Sequence, residues 1–215
     1  MKELIIFDLD GTLLNTIADL AQSVNYALER LGFPTHKEAA YSFMVGNGIY
    51  KLFERALPEK ERTEENILRV RELFIPFYSR HSMDKSRPYP GIPELLETLR
   101  SQGKLMAVAS NKYQAGTEEL VAHYFPEIEF AAVFGQREGI APKPDPAIVY
   151  DILRITATPQ GNVLYVGDSG VDMQTANNSH ITSCGVTWGF RPRTELEAFR
   201  PNHIVDTANE ILALV

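Results

Sequence analysis

The chain has a single cysteine, Cys184, so no internal disulfide can form, and a lone thiol suits a reducing compartment. Long apolar runs are missing too. Nothing approaches the ~18–20 residues that span a bilayer, which excludes a membrane-crossing helix. Excess positive charge is absent, since 21 Lys/Arg face 28 Asp/Glu for a net charge of −7. That balance argues against nucleic acid or an anionic membrane as the main partner. His36, His81, His123, His180 and His203 include no i, i+4 pair, which removes the simplest zinc site. The 13 Pro and 14 Gly are spread out, so no segment reads as a linker, and there is no repeat. Met1-Lys2-Glu3 leads straight into an apolar strand, so no signal peptide is expected and a cytoplasmic location is.

What remains is an ordinary globular composition, 44% hydrophobic and 23% charged over 215 residues. That length fits one large domain or one domain carrying an insertion. Beyond residue 86, strand-like runs alternate with helical ones. The expected strands are Leu105–Ala109, Ala131–Phe134, Val163–Val166 and Ile181–Val186, with Leu4–Phe7 as another central strand. The expected helices are Ile92–Gln102, Thr117–Tyr124, Pro146–Ile155, Gly170–Asn177 and Ala208–Leu214, with Asp145-Pro146 as a helix start. This pattern predicts an α/β fold, an open parallel sheet with helices on both faces.

Residues 15–85 differ. Ile17, Leu20, Val24, Ala27, Leu28 and Leu31 recur at helical spacing, as do Leu68, Leu73, Phe74 and Phe77, and no strand is expected. This part holds ten basic and ten acidic residues, whereas the remainder holds 11 and 18. The chain therefore reads as an α/β core, 1–14 and 86–215, with an all-helical insertion at 15–85.

The chemistry concentrates where strands end. Leu4–Phe7 stops at Asp8-Leu9-Asp10-Gly11-Thr12; Leu105–Ala109 is followed by Ser110-Asn111-Lys112; Val163–Val166 is followed by Gly167-Asp168-Ser169-Gly170, with Asp172 close behind. Lys143 precedes the helix start at Asp145. Ligands bind at the carboxyl ends of parallel strands. An acidic turn closed by Gly11 is the plainer reading of the first motif, but it leaves two acids at the end of a buried strand unexplained. Like charges there repel by ~4 kcal/mol per close pair at an effective dielectric of 20. A hard divalent cation relieves that, and an oxygen-only ligand set favours Mg²⁺ over zinc. Lys143, Ser110 and main-chain N–H groups supply donors for a phosphoryl group. One carboxylate can attack phosphorus and a second can carry the proton.

Asp8-Leu-Asp10-Gly-Thr-Leu13, Val108-Ala-Ser110-Asn111, Lys143-Pro-Asp-Pro146 and Gly167-Asp168-Ser-x-x-Asp172 resemble, in order, the four motifs of the haloacid dehalogenase-like hydrolase superfamily. The phosphoglycolate phosphatase-type branch is the most similar. The resemblance implies a Rossmann-like core with an inserted helical cap, and a Mg²⁺-dependent phosphatase of a small phosphorylated metabolite working through an aspartyl-phosphate. It makes Asp8 the nucleophile and Asp10 the acid/base. It places the metal on Asp8, the Asp10 main-chain carbonyl and Asp168, with Asp172 behind them. Ser110, Asn111 and Lys143 would hold the phosphoryl group. Asn47, Gly48 and Lys51, with Arg55, are cap candidates for substrate contact. Asn15 departs from the Asp usual at its position but can cap the first helix of the insertion. Gly167-Asp168-Ser169-Gly170 also matches a serine-protease loop, but in the wrong fold class. A sugar phosphomutase, a pyrophosphatase or a silent phosphate-ester binding module are the alternative readings, and a monomer or homodimer is expected.

Overall fold

The computed structural model describes residues 1–215. Its spine is β1 (Leu4–Phe7), four apolar residues without solvent contact, as a strand covered on both faces requires. In chain order there follow β2 (Leu14–Asn15), α1 (Ile17–Arg30), α2 (Glu38–Tyr41), α3 (Gly48–Ala56), α4 (Glu64–His81), β3 (Arg87–Pro88) and α5 (Ile92–Ser101). Then come β4 (Leu105–Tyr113), α6 (Gln114–Tyr124), β5 (Ala132–Gln136), α7 (Ala147–Thr156), β6 (Val163–Gly167), α8 (Gly170–Asn178), β7 (Thr182–Val186), α9 (Arg193–Ala198) and β8 (His203–Val205).

Six strands form one parallel sheet in the order β5-β4-β1-β6-β7-β8. The connections start from the middle, run outward one way, and return to the other side of β1. The strand order reverses between β1 and β6, where a crevice opens at the carboxyl ends. Alternation sorts the core by face. Ile5, Phe7, Met106, Val108, Leu164 and Val166 pack with Ile92, Leu95, Leu96 and Leu99 of α5. Leu4, Ile6, Ala107, Val163 and Tyr165 pack on the opposite face with Ile148, Val149 and Ile152 of α7. The α/β architecture with helices on both faces is thus as the sequence predicts.

Between β2 and β3 every regular element is helical, and a separate apolar cluster there includes Leu20, Val24, Leu28, Phe53, Phe74 and Tyr78. Its two connections to the sheet are paired: Leu14 lies opposite Pro88, and Asn15 opposite Arg87, in antiparallel register. The buried carboxylate of Asp19 on α1 accepts from Lys85 N, Ser86 N and Ser86 Oγ, pinning the returning strand.

Several local expectations change. β4 continues through Ser110, Asn111 and Lys112 to Tyr113, with a register shift after Ala109. Polar residues there resemble a loop in sequence, but the ladder to β5 resumes at Tyr113–Gln136. α1 starts after Thr16, and Asn15 does not cap it firmly, its Oδ1 lying 3.4 Å from Ile17 N. The last segment, Ala208–Leu214, is 3₁₀ rather than α-helical. β2, β3, β8 and α9 lack a sequence signal because they are two to six residues long.

Candidate active site

β1 hands Asp8 to the crevice, and Gly11 turns the chain away with φ +92°. A Cβ at Gly11 would run into the Asp168 carboxylate, and one at Gly189 would meet Asp168 Cβ and the Gly11 carbonyl. These two glycines let the loops after β1 and β7 close around the carboxylate that follows β6. Asp8, Asp168 and Asp172 each offer an oxygen within 4.8 Å of the others, and all three are buried.

Their electrostatic state is strained. Burial first, then the Asp172 and Asp10 charges, raise the Asp8 carboxyl from its ordinary 3.8 to about 7, against the pull of Lys143. Asp168 is pushed well above the usual carboxylate range by burial and by Asp172 and Asp8. Three buried carboxylates with one ammonium among them form a donor set that a hard divalent cation fits. The hydrogen bonding separates their roles. Asp172 Oδ1 accepts from Lys143 at 2.7 Å and Tyr165 Oη at 3.4 Å, and its Oδ2 takes Ser169 N and Oγ. Asp172 is therefore spent on protein partners, closing a capping box at the start of α8. Asp168 accepts from Phe190 N at 2.7 Å and has only a long 3.4 Å contact to Thr12. Asp8 takes Leu9 N (2.7 Å) and Lys143 Nζ (3.0 Å) on Oδ1 alone, which leaves Oδ2 without a protein partner.

Ser110 Oγ accepts from Lys112 N at 3.2 Å, so its own proton is free to donate. Asn111 departs from the expected phosphate contact through its side chain. That amide is fully engaged, Oδ1 accepting from Lys143 N and Nδ2 donating to the Gly46 and Lys143 carbonyls. It joins the Lys143 segment to the helical lobe, and only its main chain remains for a ligand.

Asp10 has a cation of its own. Lys112 Nζ lies 3.3 Å from Asp10 Oδ1 and 2.7 Å from Tyr78 Oη of α4, and Thr16 Oγ1 donates to the same carboxylate oxygen at 2.6 Å. Lys112 is only the third residue of the Ser110-Asn111-Lys112 run, and its pairing depends on contacts 34 and 102 residues away. The sequence offers no local signal for that.

A cavity of about 40 Å³ lies between the sheet edge and the lobe, lined by Asp8, Asp10, Ser110, Asn111, Lys112 and Gly48. Leu20, Val45, Ile49 and Leu52 make its apolar wall. Gly48 is thus at the site, but Asn47 and Lys51 are not. Asn47 Oδ1 accepts from Arg55, which also donates to the Met44 carbonyl, so both shape the loop from within. Lys51 pairs with Glu54 at 2.6 Å in solvent. Helix α3 directs that lysine outward, which one-dimensional spacing does not reveal. Arg191, on the loop after β7, donates to the Val45 carbonyl at 2.7 Å and ties the core to the same loop. His81 is exposed and paired with Asp84.

Comparison with known proteins agrees with this geometry. The family model described as haloacid dehalogenase-like hydrolase matches residues 5–186. The phosphoglycolate phosphatase of Mesorhizobium japonicum is 32% identical over 206 residues, 95% of this chain and 90% of that protein. That of Mannheimia succiniciproducens is 32% identical over 219 residues, 99% and 98% of the two chains. A crystal structure of a candidate phosphoglycolate phosphatase from Lactobacillus delbrueckii subsp. bulgaricus superposes with a TM-score of 0.91 at 34% identity, covering 98% and 97%. The carboxylates at the sheet edge, the buried lysine behind them and this breadth of similarity have one reading: the chain belongs to the haloacid dehalogenase-like hydrolase family, and within it is a phosphatase.

Proposed function

We infer that this phosphatase is Mg²⁺-dependent, acts on a small phosphoglycolate-like monoester, and works through an aspartyl-phosphate on Asp8. The observation that carries the reading is the Asp8 carboxylate. One of its oxygens is held by Lys143 and Leu9 N, the other is free, and Asp168 and Asp172 stand within 4.8 Å.

Asp8 Oδ2 attacks phosphorus while the ester oxygen departs, and Asp10, which lines the same cavity, gives that oxygen its proton. Asp10 then takes a proton from water as the water attacks phosphorus, releasing phosphate and restoring the Asp8 carboxylate. Lys143 and the Ser110 hydroxyl hold phosphoryl oxygens through both steps. Asp172 fixes Lys143 by the 2.7 Å ion pair. Asp8, the Asp10 carbonyl and Asp168 would hold Mg²⁺, which when bound offsets charge on the phosphoryl group and on Asp8.

The test is phosphate release from 2-phosphoglycolate with Mg²⁺ and after chelation, followed by borohydride trapping of the acyl phosphate. Release that stops on chelation, with homoserine appearing at position 8, is the expected result. Undiminished turnover in the chelated enzyme, or trapping at another residue, overturns the reading.

A further inference from the structure

Lys112 is a buried ammonium that lines the reaction cavity and is the only cation to do so. The other nearby cations do not line the cavity: Lys143 is shared between Asp8 and Asp172, Arg55 serves Met44 and Asn47, Arg191 serves Val45 and Glu195 and keeps a buried Nη1 without a partner, and Lys51 faces Glu54 in solvent. An ammonium carries three donors, and here two are used, on Tyr78 Oη and Asp10. Behind it, the buried Tyr78 hydroxyl accepts from Lys112, so its own proton remains to be donated. The apolar wall of Leu20, Val45, Ile49 and Leu52 suits a short carbon chain and offers nothing to a polar one. The cavity thus brings together Asp8 and Ser110, an apolar wall, and the Lys112 cation beside Asp10.

We propose that Lys112 is the specificity-determining residue of this site, holding a carboxylate on the leaving group. The preferred substrates are then phosphate monoesters of short hydroxy-acids. The proposal rests on the phosphatase reading above and adds to it which residue recognises the part of the substrate that departs. A leaving group without a negative end gains nothing from the third donor of Lys112 and is discriminated against, because charge-assisted hydrogen bonds in a buried site are worth far more than in water.

The experiment compares 2-phosphoglycolate with ethyl phosphate, which has the same carbon count but no carboxylate, in the Mg²⁺-loaded wild type, Lys112→Met and Lys112→Arg. The wild type is expected to favour 2-phosphoglycolate by about 100-fold in kcat/KM. In Lys112→Met that ratio falls at least tenfold, mainly through KM, whatever happens to the absolute rates, and Lys112→Arg recovers part of it. Lys112→Gln, which keeps a donor for Tyr78, reads the same ratio if the methionine variant folds poorly. An unchanged ratio with both rates lowered equally means that Lys112 acts only through Asp10, and overturns the proposal. A wild type that hydrolyses both esters equally overturns it while leaving the phosphatase reading intact. Turnover of neither ester, nor of other small monoesters, removes both.

Discussion

The two lysines of the site are supported in opposite ways. Lys143 is held entirely by the α/β core, with Asp172 and Asp8 as ion-pair partners and Asn111 on its backbone. Lys112 is held half by the core, through Asp10, and half by the helical lobe, through Tyr78. The first arrangement needs no direct partner from the lobe. The second is complete only through the contact with Tyr78. On the proposed function, the chemistry then rests on the core and the selectivity in part on the lobe.

The sharpest way to break the core half is at its proposed nucleophile. Asp8→Asn is expected to lower phosphate release by about 10⁴-fold or more, measured at saturating Mg²⁺. Asp172→Asn, which leaves Lys143 paired with Asp8 alone, is expected to cost 10- to 100-fold in kcat. Its thermal stability should fall less than loss of a buried ion pair would suggest, because the variant also relieves repulsion among the three carboxylates. Calorimetry beside kinetics separates the two effects.

The same crowding has a pH signature. A carboxyl raised to about 7 binds a proton in the folded protein where the unfolded chain does not. Cation-free protein therefore gains stability as pH falls from 8 towards 6 and loses it as pH rises through 7. With Asp168 shifted in the same direction, chelated protein is expected to melt about 5 °C higher at pH 6 than at pH 8. Saturating Mg²⁺ should remove most of that difference, and a difference that persists would contradict the assignment of these carboxylates to a cation.

The lobe half should respond more gently. Tyr78→Phe removes one hydrogen bond from Lys112 but keeps the stacked ring against Phe74, so KM for 2-phosphoglycolate should rise about three- to tenfold with a smaller change in kcat. Lys51→Ala should leave kcat/KM within about twofold, since an exposed i, i+3 pair contributes little. A large loss there would restore Lys51 to the site.

Legibility in the sequence followed the same division. Asp8, Asp10, Asp168 and Asp172 stand at or just after the ends of apolar strands, so pattern and spacing alone bring them to one sheet edge. Lys143 precedes a helix whose start is signalled by Asp145-Pro146. The lobe half was hidden because side-chain direction decides it. Lys51 and Arg55 are one turn apart, yet one faces solvent and the other folds under the Met44–Asn47 loop. Asn111 looks like a ligand donor in sequence but is consumed by the Gly46 and Lys143 main chain. Tyr78 reads as one more apolar position of α4, and only the packed structure sets its hydroxyl on Lys112.

The two-residue strands β2 and β3 are the smallest elements described and have a wide consequence. By pairing Leu14 with Pro88 and Asn15 with Arg87, they bring the entry and exit of the 16–86 excursion to within one strand spacing, about 4.8 Å. To the core, the whole lobe is therefore a loop of almost no span. Such a junction tolerates exchange of everything beyond it, because any insert whose ends meet at that distance leaves the sheet undisturbed. The architecture separates inheritance of the reaction from inheritance of the clientele: a lineage can trade one lobe for another at this seam and keep the hydrolytic edge intact.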